Sequence, residues 1–288
     1  FYRIYMHIIQ SRHGLVAHLL SLRKQGENVT IGFVPTMGAL HSGHASLIDE
    51  SVRENTITVC SIFVNPTQFG DKSDLEKYPK PIEKDIEILI KHKCDILFLP
   101  EFEDVYSAEY VHQKFELGEL ESKIEGASRP GHFQGVCNVV SQLFEIVSPD
   151  CAYFGQKDYQ QTAIIKSLIQ LTRSDVTLKI VPITREPSGL AMSSRNIRLS
   201  DKGRKNAAFI YKALRDIQTD AESRSLLELI DRAKQFISSQ KGVDLDYLLA
   251  VDAETLNEAT SIKESGSIII LVALTYEGVR LIDNIFLN

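Results

Sequence analysis

The sequence predicts an α/β protein, a parallel sheet with helices on both faces followed by a smaller α+β domain. Two observations lead there. Apolar, β-branched runs of strand length recur at 29–34, 57–64, 95–99, 151–154 and 178–183, with helical patterns between them. After about residue 185 the texture changes to two helical patterns followed by three strand-like runs.

In the first part, the stretch after 29–34 places Leu47, Ile48, Ser51 and Val52 along one stripe, as a helix packed on a sheet should. That helix is expected to open at His44 and to run to about residue 55. Strand–helix alternation of this kind makes residues 1–184 a Rossmann-like domain. In the second part, helices are expected at 202–222 and 225–240 and strands at 244–251 and 268–273. A turn at Glu277-Gly278 then leads into a strand at 279–286, forming a hairpin. These last hundred or so residues, 185–288, are expected to form the smaller domain and to act as a lid. A bending loop is expected at 184–189, where Pro187 fixes one φ and Gly189 frees another.

Bulk properties exclude several classes. With 288 residues and 43% hydrophobic composition the chain can bury a sizeable core and is not disordered. Its 32 Lys and Arg against 38 Asp and Glu give a formal charge of −6, which argues against a surface that coats nucleic acid. Cys60, Cys94, Cys137 and Cys151 lack C-x-x-C spacing and read as buried structural thiols in a reducing compartment. No apolar run reaches the roughly 20 residues of a membrane span, and residues 1–10 lack a signal-peptide pattern. A cytoplasmic location without membrane or nucleic-acid partners is therefore expected, with Met6 as the natural start.

The chemistry concentrates where strands end. The first strand runs into Pro35-Thr36-Met37-Gly38-Ala39-Leu40-His41-Ser42-Gly43-His44. Ligands of open α/β sheets bind at such carboxyl ends, and a helix N-terminus offers unpaired N–H groups to phosphate. By composition an H-x-G-H should arise by chance roughly 0.01 times in this chain. Two histidines that only cap a helix remain the plain alternative; zinc is disfavoured because no third ligand follows with metal spacing. Some 150 residues on, Gly189-Leu190-Ala191-Met192-Ser193-Ser194-Arg195-Asn196 offers two hydroxyls and a guanidinium in a short loop, suited to a mobile phosphate clamp. Alone, S-S-R-N is equally an ordinary helix cap. Paired with H-x-G-H, it provides cations on both sides of an α-phosphate in nucleotidyl transfer.

The motifs come in a particular order. P-T-M-G-A-L-H-x-G-H at 35–44 precedes F-V-N-P-T-Q-F at 63–69 and R-P-G-H-F-x-G-V at 129–136. F-G-x-K-D-x-Q-Q at 154–161 and G-L-A-M-S-S-R-N at 189–196 follow, with V-D-A-E-T-L at 251–256 and R-L-I-D-N at 280–284 closing the series. This series closely resembles pantothenate synthetases, the pantoate–β-alanine ligases of the H-x-G-H nucleotidyltransferase superfamily.

The resemblance implies a reaction: ATP activates pantoate as an acyl-adenylate, which β-alanine then converts to pantothenate, with Mg2+ accompanying ATP. It also implies residue roles. Pro35, Thr36, Met37, Gly38, Ala39, Leu40, His41, Ser42, Gly43 and His44 would line the ATP site, with His44 catalytic and His41 its partner on the phosphates. Gln68 and Gln161 would hold pantoate and β-alanine. Gly155, Gln156, Lys157 and Asp158 would also meet ATP, Lys157 balancing phosphate charge and Asp158 accepting ribose hydroxyls. Thr184 would meet adenine through its backbone, and Met192, Ser193, Ser194 and Arg195 would close over the phosphates. Asp85 matches an acidic region near the metal, and a homodimer through the larger domain is implied.

Departures are local. Lys80-Pro81 stands where the family often has Arg-Thr, and a threonine is common where Cys137 or Asn138 sits. Plain alternatives remain for single residues: Lys157-Asp158 reads as a solvated helix start, and His132, left out of the catalytic set, either faces the substrate or only orders its loop. The rival readings are another nucleotidyltransferase, which would not need Gln68 and Gln161, and a silent nucleotide-binding module, which would lack a phosphate-handling residue. A tRNA synthetase is disfavoured by net charge and by length.

Overall fold

The computed structural model describes residues 5–26, 28–69, 75–262 and 266–287. Of the residues ahead of Met6, residues 1–4 lie outside this range. The chain divides into two units, Phe1–Gly155 with Gln160–Val181, and Gln156–Tyr159 with Pro182–Asn288.

The first unit is built on six parallel strands, β1 (His7–Ile9), β2 (Ile31–Thr36), β3 (Ile57–Ile62), β4 (Ile96–Phe98), β5 (Cys151–Gly155) and β6 (Thr177–Val181), in the order β1-β4-β3-β2-β5-β6. Both faces are covered, so successive strand residues enter different cores. Phe33, Val59, Phe98 and Phe154 join one core with Leu15 and Leu19 of α1 (Arg12–Gln25), α4 (His132–Val147) and α5 (Tyr159–Thr172). Val34, Cys60, Leu97 and Tyr153 join the other with Leu47 and Ile48 of α2 (Ser42–Glu54) and Leu89 of α3 (Ile82–Lys91).

Strand order reverses at β2. From β2 the chain moves to β3 and β4 on one side, while β5 lies on the other. The crevice outside the carboxyl ends of β2 and β5 is the topological switch point, where ligands of open α/β sheets bind.

Three sequence expectations need adjustment here. The edge strand β1 was not anticipated: its three residues are too few to show a period, and their role depends on pairing with β4. β2 extends to Thr36 through Pro35, which is tolerated because the β2–β5 ladder covers only Gly32 and Phe33. Cys60, Cys94 and Cys137 are buried as expected, but Cys151 is only partly so; all four are free thiols.

The second unit carries an antiparallel sheet, β7 (Val243–Asp252), β8 (Ile268–Tyr276) and β9 (Val279–Phe286), in that order. Ala213, Leu214 and Ile217 of α6 (Phe209–Asp220) and Leu229 and Ile237 of α7 (Leu226–Ser238) pack with Leu248, Ile270, Val272 and Leu274 of the sheet. Ser225 caps α7 by accepting the Glu228 N–H. The expected hairpin turn is present: Glu277 and Gly278 both have positive φ, 49° and 71°, as a tight two-residue turn requires. The single helix expected at 202–222 is broken into a short Asp201–Asn206 helix and α6. The break falls at the fully buried Ala207, where bonding tightens to an i→i+3 pattern, Ile210 N–H to Ala207 O at 3.1 Å.

Candidate active site

At the carboxyl end of β2 the chain turns through Gly38 and Ala39, both left-handed with φ of 81° and 51°. For alanine that conformation costs about 1 kcal/mol or more, so the surroundings must hold it. Asp85 does so from the first turn of α3: its carboxylate accepts the Ala39 N–H at 2.9 Å and the Leu40 N–H at 2.7 Å. Thr36 closes the turn, donating to Ser61 O at 2.7 Å and accepting the Gly38 N–H at 3.2 Å.

Burial pushes the Asp85 carboxyl above its ordinary range, and the two amides pull it partly back. The resemblance brought this residue near a metal, but with both oxygens on backbone amides it is a brace for the loop rather than an open ligand. Among the described residues no group of three or more His, Cys, Asp or Glu is gathered so as to hold a metal ion.

Helix α2 does not open at His44 as the spacing suggested. Its first residue is Ser42, and His41 is the N-cap. The His41 Nδ1 accepts the Gly43 N–H at 3.1 Å, and the His41 N–H donates to the His44 Nδ1 at 3.3 Å. This is a capping box made of two histidines in place of the usual Ser or Thr and Glu. Their rings lie 4.1 Å apart, centroid to centroid. Because each Nδ1 accepts a hydrogen bond, each neutral ring carries its proton on Nε2. Capping and chemistry were alternatives in the sequence; here the cap sets the tautomer.

Gln68 ends the short Pro66–Gln68 turn after β3 and is buried. Its Nε2 lies 2.9 Å from the Met37 Sδ, so the β2 and β3 loops meet through these two side chains. Behind it, Asn65 donates to Gln68 Oε1 at 3.3 Å and to Gly135 O at 3.2 Å. The His132 Nδ1 donates to Gln68 O at 2.9 Å, while Arg129 donates to its Nε2 at 3.0 Å. His132 thus orders the Gln68 loop, one of the two parts left open for it. Tyr106, its hydroxyl pushed up to about 12 by burial, donates to Asn65 Oδ1 at 3.2 Å. Of this supporting set, Tyr106 lies outside every motif read from the sequence, while Asn65 belongs to the motif at 63–69 and Arg129 and His132 to that at 129–136, where His132 alone is weighed for a role.

Gly155 ends β5, and Gln161 sits half-buried in the first turn of α5. Its neighbour Gln160 is buried and structural, accepting the Glu125 N–H and donating to Leu120 O and Lys123 O.

The remaining residues lie in the second unit. The Lys157 Nζ is 3.3 Å from the Asp158 carboxylate, in a single turn at Gln156–Asp158. Asn284 of β9 holds this turn, donating to Gln156 O at 2.9 Å and Lys157 O at 3.0 Å, and accepting from the Gln156 side chain at 3.0 Å. Ser193 caps the Ser194–Arg198 turn by accepting the Arg195 N–H at 3.3 Å. Buried Asn196 anchors the turn, donating to Glu186 at 2.9 Å and Ala191 O at 3.0 Å.

The bending loop expected at 184–189 is instead a closed turn. Met192 N–H donates to Thr184 O, Glu186 N–H to Leu190 O, and Gly189 N–H to Glu186 O, at 2.8 to 3.0 Å. Glu186 in turn takes both its oxygens to Arg204 at 2.8 Å. Pro187 and Gly189 shape a tight reversal in this conformation.

Comparison with known proteins agrees with this fold. Residues 7–286 match the sequence model of a family described as pantoate-beta-alanine ligase. The chain is 46% identical over 281 residues to the pantothenate synthetase of Azobacteroides pseudotrichonymphae, covering 97% of this chain and 99% of that one. Its fold is similar to the crystal structure of pantothenate synthetase from Thermus thermophilus, with a TM-score of 0.90 and 37% identity over 98% of this chain and 99% of that one. It is also similar to the Francisella tularensis pantoate-beta-alanine ligase complexed with beta-gamma ATP and beta-alanine, with a TM-score of 0.79, 37% identity and 98% of each chain covered.

Proposed function

The chain belongs to the pantoate–β-alanine ligase family, and from that premise we propose that it joins pantoate to β-alanine with ATP, through a pantoyl-adenylate. The observation that carries the reading is the two-histidine cap, placed at the switch point of the parallel sheet with the proton of each neutral ring on Nε2.

In the first step a pantoate carboxylate oxygen attacks the α-phosphorus of ATP and the bond to pyrophosphate breaks. His41 and His44 donate to the phosphate oxygens as charge develops on them, which is where fixed donors act most strongly. Lys157, Ser193, Ser194 and Arg195 balance the rest of the phosphate charge, and a Mg2+ ion accompanying ATP would neutralise more of it. Residues 35–44, Met192 and Gly155–Gln156 line the nucleotide, Asp158 accepts ribose hydroxyls and Thr184 meets adenine. In the second step the β-alanine amine attacks the acyl carbon, the bond to AMP breaks, and the nitrogen loses a proton. Gln68 and Gln161 hold the two acids, an amide being able both to donate to carboxylate and to accept from hydroxyl. The C-terminal unit acts as a lid that keeps the adenylate from water. A homodimer in the cytoplasm completes the reading.

Isotope exchange tests it. With ATP and pantoate alone the protein should exchange labelled pyrophosphate into ATP, and β-alanine should then release AMP and pantothenate one for one. Exchange that requires β-alanine rules out the free adenylate. An absence of AMP with every combination of these substrates removes the ligase reading in favour of another nucleotidyl transfer.

A further inference from the structure

Neighbouring residues in a strand face opposite sides of the sheet. In β9 this gives Asp283 and Asn284 different surroundings. Asp283 pairs with Val272 in the ladder, on the face that packs against α6 and α7. Asn284 pairs with Leu271 on the other face, alongside Phe286. On that second face the strand meets Gln156–Tyr159, a segment far away in sequence. Asn284 uses both amide hydrogens and its carbonyl on Gln156 and Lys157. Two residues on, Phe286 meets Tyr159 edge to face at 5.6 Å. The Tyr159 hydroxyl donates to Ala253 O at 2.8 Å, just past the end of β7. The turn bearing Lys157 is therefore held by the C-terminal sheet at both its ends.

We propose that Asn284 is a positioning residue for nucleotide chemistry, fixing the backbone of Lys157 so that its ammonium is set from β9. Asn284 is only 1% exposed, so water does not compete for these bonds. A lysine ammonium sits on a four-carbon stem and can reach many places. Anchoring the carbonyl of the same residue narrows the volume over which that stem can swing. The paired bonds to Gln156 O and Lys157 O also fix the peptide between them, which hydrophobic packing alone would leave free to rotate. The inference rests on the phosphate-balancing role assigned to Lys157 above.

A double-mutant cycle tests it, with kcat and KM for ATP measured by AMP formation in the full-length enzyme and folding checked by thermal unfolding. Asn284→Ala should lower kcat/KM for ATP about tenfold. In a Lys157→Ala background the same change should cost less than about twofold, because the group it positions is gone. Tyr159→Phe removes one hydroxyl from the same turn and should show the same dependence on Lys157 with a loss of a few fold. If Asn284→Ala does not fold, the Tyr159→Phe cycle decides. Equal losses with and without Lys157 overturn the inference while leaving the role of Lys157 intact, as does an Asn284→Ala enzyme of wild-type activity. A fully active Lys157→Ala enzyme overturns the assigned role of Lys157 and the inference with it.

Discussion

Arg185 grips the buried carboxylate of Asp283 through both arms of its guanidinium, at 2.6 and 2.9 Å, and lies 3.8 Å from the centre of the Tyr211 ring. The same guanidinium donates to Gly189 O and Asn284 O. It ties the root of the Ser193–Arg195 loop to β9. Burial pushes the Asp283 carboxyl up, and Arg185 opposes that shift. Removing Arg185 strands a charge in the interior, so Arg185→Met should destabilise by about 3–5 kcal/mol in urea unfolding. Replacing both partners, Arg185→Met with Asp283→Leu, should be less harmful than Arg185→Met alone. A double variant as unstable as the sum of the singles would mean that the pair is not coupled.

The Asp85 brace predicts a dependence on pH. Its carboxyl lies above the ordinary value of 3.8 in the folded protein, with burial as the main cause. A carboxyl raised in this way contributes stability that is fully present below the unfolded value and lost as pH rises through the folded one. The stability of wild type relative to Asp85→Asn should therefore fall as pH climbs from about 4, and level off above the folded pKa. Urea unfolding of both proteins from about pH 4 to 8 measures the difference. A difference that grows with pH would show that the Ala39 and Leu40 amides outweigh burial.

Much of this architecture could be read from the chain, for physical reasons. Strands buried on both faces become near-continuous apolar runs, so β2 to β5 stood out, and Glu277-Gly278 announced its hairpin. The site's motifs were legible because they follow strand ends. What escaped depends on contacts that periodicity does not encode. β1 is defined by its partner β4 alone. The helix start was misplaced by two residues because histidine is an unusual N-cap, recognisable only once the His41 and His44 nitrogens are seen on backbone amides. The Pro187 and Gly189 pattern suggested bending, but such residues also make closed turns. Which outcome holds was decided by Asp283 and Arg204, 98 and 18 residues from their partners Arg185 and Glu186.

His44 combines a structural and a chemical part that mutation can separate. Losing the bond from the His41 N–H to its Nδ1 should cost about 1 kcal/mol, as for other caps. Losing a donor aimed at developing phosphate charge should lower kcat by about 10² to 10³. His44→Asn, which keeps an acceptor for the cap, should recover most of the stability lost in His44→Ala but little of its kcat. Steady-state kinetics with thermal unfolding on both variants reads the split. Near-normal kcat with only a raised KM for ATP would make His44 a binding residue.

The Gln68 loop should be sensitive to a single methyl group on the neighbouring helix. In the first turn of α4, a Cβ on Gly135 would lie 2.6 Å from Thr67 O, 2.7 Å from the Gln68 Cα and 2.9 Å from the Gln68 N. These are backbone atoms, so the clash cannot be relieved by turning a side chain; the Pro66–Gln68 turn must move off the helix. That movement would also strain the bonds from Asn65 to Gly135 O and from His132 to Gln68 O. A displacement of about 1 Å in a substrate-positioning residue can cost about 10² in rate. Gly135→Ala should therefore raise KM for pantoate at least about tenfold and lower kcat, because Gln68 no longer presents its amide correctly. KM for ATP should change by less than about threefold, since the Asp85 brace and the histidine cap hold the nucleotide loop independently of α4. Pyrophosphate exchange at varied pantoate and ATP measures both constants in one experiment. Equal effects on the two substrates would mean that the mutation disturbs the whole sheet end, and an unchanged KM for pantoate would remove Gln68 from the substrate site.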